Sequence, residues 1–114
     1  MSDDFYCDNV LSGNVEVERI KETENVLAYH HTRPFWETHI VVIPKHHISS
    51  LLTVNDGDAN IILEMLGVIR EVAADVVAKR GAARVLTNLG DYQESKHLHF
   101  HVYSGDRLRP DNPI

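Results

Sequence analysis

Residues 97–103 read His97-Leu98-His99-Phe100-His101-Val102-Tyr103. Histidine alternates with an apolar residue three times, and Tyr103 follows. A period of two predicts a half-buried strand. Residues i, i+2 and i+4 of a strand line one face, so His97, His99 and His101 are expected in a row, about 7 Å apart at their Cα atoms. Leu98, Phe100 and Val102 then face a core. Solvent faces of strands ordinarily carry Thr, Lys or Glu, and neighbouring imidazoles repel one another once protonated. Such a row suits chemistry near neutral pH, where histidine acts as nucleophile, acid, base or metal ligand.

Outward from this stretch the chain divides into a few elements. Phe5, Tyr6, Val10 and Leu11 predict a short N-terminal helical turn, ended by Gly13 and Asn14. Val15 to Glu22 alternates with one slip of phase, as an edge strand would, and Glu24-Asn25 turns the chain into a returning strand, Val26 to His31. Pro34 makes Thr32 to Glu37 a loop, whose Phe35 and Trp36 must pack on the core, a ligand or a second subunit. Thr38 to Ile43 is a continuous, β-branched apolar run, the pattern of a central strand, with His39 as its polar exception and Pro44 at its end. Lys45-His46-His47-Ile48 is a basic turn.

Asp56 and Asp58 offer N-caps for the single long helix, Asp58 to Arg80. Its apolar stripe is Ile61, Ile62, Met65, Leu66, Ile69, Val72, Ala73, Val76 and Val77. Lys79 and Arg80 suit the helix C-terminus, and Gly81 its left-handed stop. Arg84 to Asn88 is a short strand, Leu89 to Ser95 a polar loop, and Ser104 to Ile114 an extended tail. Short connections make neighbouring strands antiparallel. The expected architecture is α+β, one domain over residues 1–114: an antiparallel sheet of about five strands, one long helix and a short N-terminal helix.

Composition narrows the partners. The 114 residues are 43% hydrophobic and 25% charged, as in a soluble globular domain. A net charge of −6 and a pI near 5.7 argue against a nucleic-acid polymer or an anionic membrane, but leave room for a small phosphate ligand. One cysteine, Cys7, excludes an intramolecular disulfide and fits a reducing compartment. No signal peptide or membrane span is visible, so a cytoplasmic location is expected.

Imidazole is a good nucleophile towards phosphorus, and the phosphoramidate it forms hydrolyses easily. One histidine attacks, a second group fixes its tautomer, and flanking donors hold the phosphate oxygens. His99, flanked on both sides, is the best-placed attacker. His101 and His39 could donate to phosphate or leaving group, and Asn88 and Gln93 could add neutral donors. No carboxylate pair suggests glycosidase chemistry, and no Gly-rich loop suggests a P-loop. Zinc is the rival: Asp4, Cys7, His47 and His97 are plausible ligand types, but the sequence does not bring them together.

The motif, close to the C-terminus of a small chain, resembles the signature of the histidine triad (HIT) family of nucleotide hydrolases and transferases. The resemblance extends to Phe5-Tyr6-Cys7 with Gly13, to Val26-Leu27-Ala28-Tyr29-His30, to Thr38 through Ile48, and to Thr87-Asn88-Leu89-Gly90 with Gln93. It implies a HIT-like fold, dimers in which two sheets become one, and nucleotidyl transfer to His99 followed by hydrolysis. It further implies that His101 contacts the phosphate, that His97 supports the site from behind, and that His39 and Asn88 complete it. Histidine at the third triad position is the hydrolase and phosphoramidase pattern. Substrate contacts are implied for Tyr29, His30, His31, Asn88, Gln93, Glu94, Ser95 and His101. Three departures stand out. His31 occupies a position that is often acidic and contacts ribose; Glu94 stands where the phosphoramidase branch has serine, with Ser95 one later; and Asp4-Phe5-Tyr6-Cys7 replaces the Cys-x-x-Cys of zinc-binding members. The expected partners are a small-molecule nucleotide and a second copy of the chain. No cofactor is required; if zinc binds, its candidates are Cys7, His47 and His97. The alternative is a non-catalytic nucleotide sensor or adaptor on the same fold.

Overall fold

The computed structural model describes residues 6–14 and 16–108. Asp4, Phe5, Val15 and the tail that holds Pro110 and Pro113 lie outside the described residues. Five strands, β1 (Arg19–Glu22), β2 (Val26–His30), β3 (Trp36–Pro44), β4 (Arg84–Leu86) and β5 (Phe100–Arg107), form one antiparallel sheet in the order β1-β2-β3-β5-β4. The helix α1 (Ala59–Arg80) covers one face. The expected α+β architecture is the observed one.

Cross-strand partners share a face, and the register therefore sorts the core. The pairs Ala28↔Val42, Val42↔Phe100 and Ile40↔Val102 stand under α1. There they meet Met65, Val68, Ile69, Val72 and Val76, all buried. Trimming Met65 to alanine would cost about 2–5 kcal/mol in such packing. The pairs Leu27↔Ile43, Tyr29↔Val41 and Val41↔His101 stand on the opposite face. Tyr6 and Val10 cover part of that face. They belong to one wide helical turn, Tyr6–Val10, in which the Leu11 N–H donates to the Tyr6 carbonyl at 2.7 Å. Gly13, at φ +84, releases the chain from it.

Several boundaries differ from expectation. The histidine strand joins the ladder only at Phe100, because the Leu98 N–H donates out of the sheet to the Ile48 carbonyl. It then runs on to Arg107, so residues 104–107, expected as tail, are strand. The first strand begins at Arg19 rather than Val15, and its slip of phase is a bulge between Arg19 and Lys21. β4 stops at Leu86, two residues early, and β3 starts at Trp36, inside the expected loop.

The helix begins at Ala59. Asp58 makes no side-chain cap for it; its carboxylate accepts from Asn55 N–H and closes the preceding turn, Asp56–Asp58. Gly81 terminates α1 at φ +86, with its N–H on the Val77 carbonyl. Leu66 and Val77 fall outside the buried stripe and are exposed. Glu64 fastens the helix to the first hairpin, accepting from Asn25 N–H at 2.9 Å, Asn25 Nδ2 at 3.0 Å and the Thr23 hydroxyl.

Candidate active site

The face away from α1 carries the histidines, on β3, β5 and the segment that leads into β5. Although His97 and His99 precede the ladder, the alternation survives. Leu98 is fully buried in the helix-side core, while Tyr6 lies over both imidazoles, 5.8 Å from His97 and 4.8 Å from His99. The rings of His99 and His101 meet edge to face at 5.1 Å. His39, His97, His99 and His101 are all buried. The structure therefore brings all four together, as the motif requires.

Hydrogen bonds to groups of fixed polarity decide each tautomer, since a neutral imidazole has one N–H and one lone pair. The Phe35 N–H donates to His39 Nδ1 at 3.1 Å, so the His39 proton resides on Nε2. His39 Nε2 stands 2.8 Å from His101 Nδ1 and donates to it, which places the His101 proton on Nε2. That atom is buried without a hydrogen-bond partner among the described residues. His99 has the opposite arrangement. Its Nδ1–H donates to the His97 carbonyl at 2.7 Å, leaving the lone pair on Nε2. His97 donates Nε2–H to the Pro44 carbonyl at 2.8 Å, and its Nδ1 faces Cys7 Sγ at 3.3 Å. Thr87 Oγ1 donates to the His99 carbonyl at 2.7 Å and holds the backbone there.

The site thus pairs a buried N–H donor with a neighbouring imidazole whose lone pair lies on Nε2. Burial keeps the donors neutral. It drives the His101 pKa down to about 2, helped by His99, His39 and His31, and that of His39 down to about 3, helped by His31.

The other predicted residues fall in different places. His31 is half-buried and stacks on His39 at 4.3 Å. His30 pairs with Ile40 in the register, so it belongs to the helix-side face, near Glu18. Tyr29 is buried in the core beside Tyr6, and burial, then Tyr6, push its hydroxyl pKa up. Asn88 is half-buried, next to Thr87. Gln93 is buried, and its Nε2 donates to the Ser49 carbonyl at 2.7 Å and the Ser95 carbonyl at 2.9 Å. It clamps the loop that carries Ser95, and Lys96 Nζ adds bonds to the carbonyls of Gly90 and Gln93. Glu94 is exposed on that loop and Ser95 half-buried.

Cys7, His47 and His97, which the sequence left apart, do converge. Cys7 Sγ lies 3.3 Å from His97 Nδ1 and 3.8 Å from His47 Nδ1. The set fits zinc in kind, a thiol and two imidazoles. With its proton on Nε2, His97 can present the Nδ1 lone pair. Sequence reasoning missed three contributors: the Phe35 N–H, the Thr87 hydroxyl and the cover that Tyr6 supplies. Two are a backbone group and a small hydroxyl, which leave no periodic signal.

Comparison with known proteins agrees with this fold. The HIT domain matches residues 12–108. An uncharacterized 13.2 kDa HIT-like protein of Azospirillum brasilense is 37% identical over 107 residues, covering 89% of this chain and 85% of its own. A histidine triad protein from Clostridium difficile superposes with a TM-score of 0.78 at 31% identity, covering 96% of each chain. A HIT family hydrolase from Clostridium thermocellum gives 0.80 at 26% identity, covering 97% of each. With its triad, its sheet and nearly its whole length accounted for, this chain belongs to the HIT domain family.

Proposed function

We propose that this protein is a nucleotide hydrolase that cleaves the α-phosphate linkage of a nucleoside phosphoramidate or a (di)nucleoside polyphosphate. The observation that carries the reading is the relay from Phe35 N–H through His39 to His101. It ends in a buried N–H that has no hydrogen-bond partner among the described residues, beside a histidine whose lone pair lies on Nε2.

His99 Nε2 attacks the α-phosphorus. An N–P bond forms, and the bond from phosphorus to the leaving amine or phosphate breaks with its electron pair on the leaving group. The Nδ1–H bond to the His97 carbonyl steadies the positive ring. His101 Nε2–H donates to the phosphoryl oxygens or the departing atom as charge shifts. Water then attacks the same phosphorus, the N–P bond breaks, and the nucleoside monophosphate leaves while His99 recovers its lone pair. The reaction requires no cofactor. Cys7, His47 and His97 would hold zinc as a structural staple behind His99, and zinc there would fix the His97 ring.

The same reading includes a second copy of the chain as partner and a cytoplasmic location. Among the described residues no helix is long and apolar enough to cross a membrane. Trp36, a candidate for subunit contact, stacks on Tyr103 at 4.7 Å beneath the Arg107 guanidinium.

The test is AMP release from adenosine 5′-phosphoramidate and, in parallel, from a diadenosine polyphosphate, by wild type and His99→Ala. Wild-type turnover of either, lost by about a thousandfold or more in the variant, supports the reading. A wild type that turns over neither compound and acquires no nucleotide on His99 would refute it.

A further inference from the structure

β4 ends at Leu86 and β5 begins at Phe100, and their last pair is Leu86↔His101. Continued by two residues, that register would set Asn88 opposite His99, and residues directly opposed across a ladder share a face. The ladder stops before it reaches them. The chain instead leaves the sheet at Thr87, passes through the turn Gly90–Tyr92 and the segment clamped by Gln93, and returns at His97.

A side chain takes over where the ladder stops. The Thr87 hydroxyl donates to the His99 carbonyl at 2.7 Å and joins two residues 12 positions apart. This bond closes the loop at its base, between the strand end that leads into Asn88 and the segment that carries His99. The other anchors of residues 97–99 point elsewhere. Leu98 N–H bonds to the Ile48 carbonyl at 2.6 Å, His97 Nε2–H to the Pro44 carbonyl at 2.8 Å, and His99 Nδ1–H to the His97 carbonyl at 2.7 Å. Those three tie the segment to the end of β3 and to itself. His99 is thereby held at two points, its ring by His97 and its backbone by Thr87.

We propose that Thr87 is a positioning residue that sets the spacing between Asn88 and His99 across the candidate site. This deepens the nucleotide-hydrolase reading and rests on it, with Asn88 as a neutral donor to the phosphate and His99 as the nucleophile. Such a donor serves the transfer only while it stays within hydrogen-bond reach of the group that His99 attacks, and a displacement of about 1 Å can cost a hundredfold in rate. Valine in place of the half-buried Thr87 keeps the shape and removes the hydroxyl. It lets the two sides part while Asn88 and His99 both remain.

The experiment compares the wild type, Thr87→Val and Thr87→Ser, well below their thermal midpoints. One readout is kcat and KM for AMP release from adenosine 5′-phosphoramidate. The other is the His99 tautomer in long-range proton–nitrogen NMR spectra of the ligand-free protein. Thr87→Val is expected to lower kcat by about tenfold or more with KM near the wild-type value. The Nδ1–H form of His99, single in the wild type, should give way to a mixture. Loss of either property, regained in Thr87→Ser, supports the role. Thr87→Ala replaces the valine variant if that protein does not fold. A valine variant with a lower thermal midpoint but wild-type kcat and tautomer overturns the proposal, and so does a loss that Thr87→Ser fails to restore. A wild type that releases no AMP and acquires no nucleotide on His99 overturns the hydrolase reading instead, and the tautomer comparison then decides for or against the hold of Thr87 on His99.

Discussion

His39 Nε2 stands 2.8 Å from His101 Nδ1, and both rings are almost wholly buried. The two residues are 62 positions apart, on paired strands β3 and β5. A short bond between two neutral imidazoles is directional, and the Phe35 N–H on the far side of His39 sets its direction. In the proposed mechanism this geometry makes His39 a positioning residue, which orients the His101 donor.

Removing His39 should therefore damage the reaction without removing the nucleophile. His39→Ala is expected to lower kcat for AMP release by about a hundredfold or more, within the range for a lost acid–base partner. His39→Gln, whose amide nitrogen can still donate to His101 Nδ1, should regain part of that loss. Nucleotidylated His99 should still form in both, more slowly, as mass spectrometry of quenched reactions would reveal. Equal kcat in wild type and His39→Ala would remove the relay from the mechanism.

Stability should depend on pH through the same pair. In the unfolded chain a histidine titrates near pH ~6.5. In the folded chain burial lowers the pKa to about 3 for His39 and about 2 for His101. The unfolded state therefore binds more protons between those limits. The contribution is fully present above pH ~6.5 and is lost as pH falls towards the folded values, at up to about 1.4 kcal/mol per pH unit for each residue. Urea midpoints should change little through these residues above pH ~6.5 and fall between there and pH ~5, less steeply for His39→Gln than for the wild type. Identical slopes would mean that His39 is not buried in its neutral form.

Metal removal and metal addition should separate two roles. In the proposed mechanism neither the nucleophile nor the relay uses a metal, so treatment with a chelator should leave AMP release unchanged. Zinc added to the chelated protein should raise the thermal midpoint by about 4 °C or more if it is held by Cys7, His47 and His97. Cys7→Ala should abolish that rise. A wild type whose midpoint ignores excess zinc would mean that Cys7, His47 and His97 do not hold it.

Much of this molecule was legible in its sequence. Alternation at 97–103 assigned faces correctly, because Leu98 and Val102 are fully buried under α1 while the histidines share the other side. The apolar run at 38–43 and the helical stripe at 58–80 fixed the central strand and its cover, and Gly81 marked where the helix stops. Those patterns are local: side-chain period follows from backbone geometry, and burial of apolar surface selects the face. Tertiary structure alone decided which nitrogen of each histidine carries a proton. That depends on partners distant in the chain or on backbone groups: Pro44 for His97, Phe35 and His101 for His39, and Arg33 for His31. The ladder could not extend back through His97 and His99 once the Leu98 N–H bonded to Ile48. Periodicity carries information about where a side chain points. The partner it finds there is set by the folded backbone, and for imidazole the partner determines whether the ring attacks, donates or binds a metal.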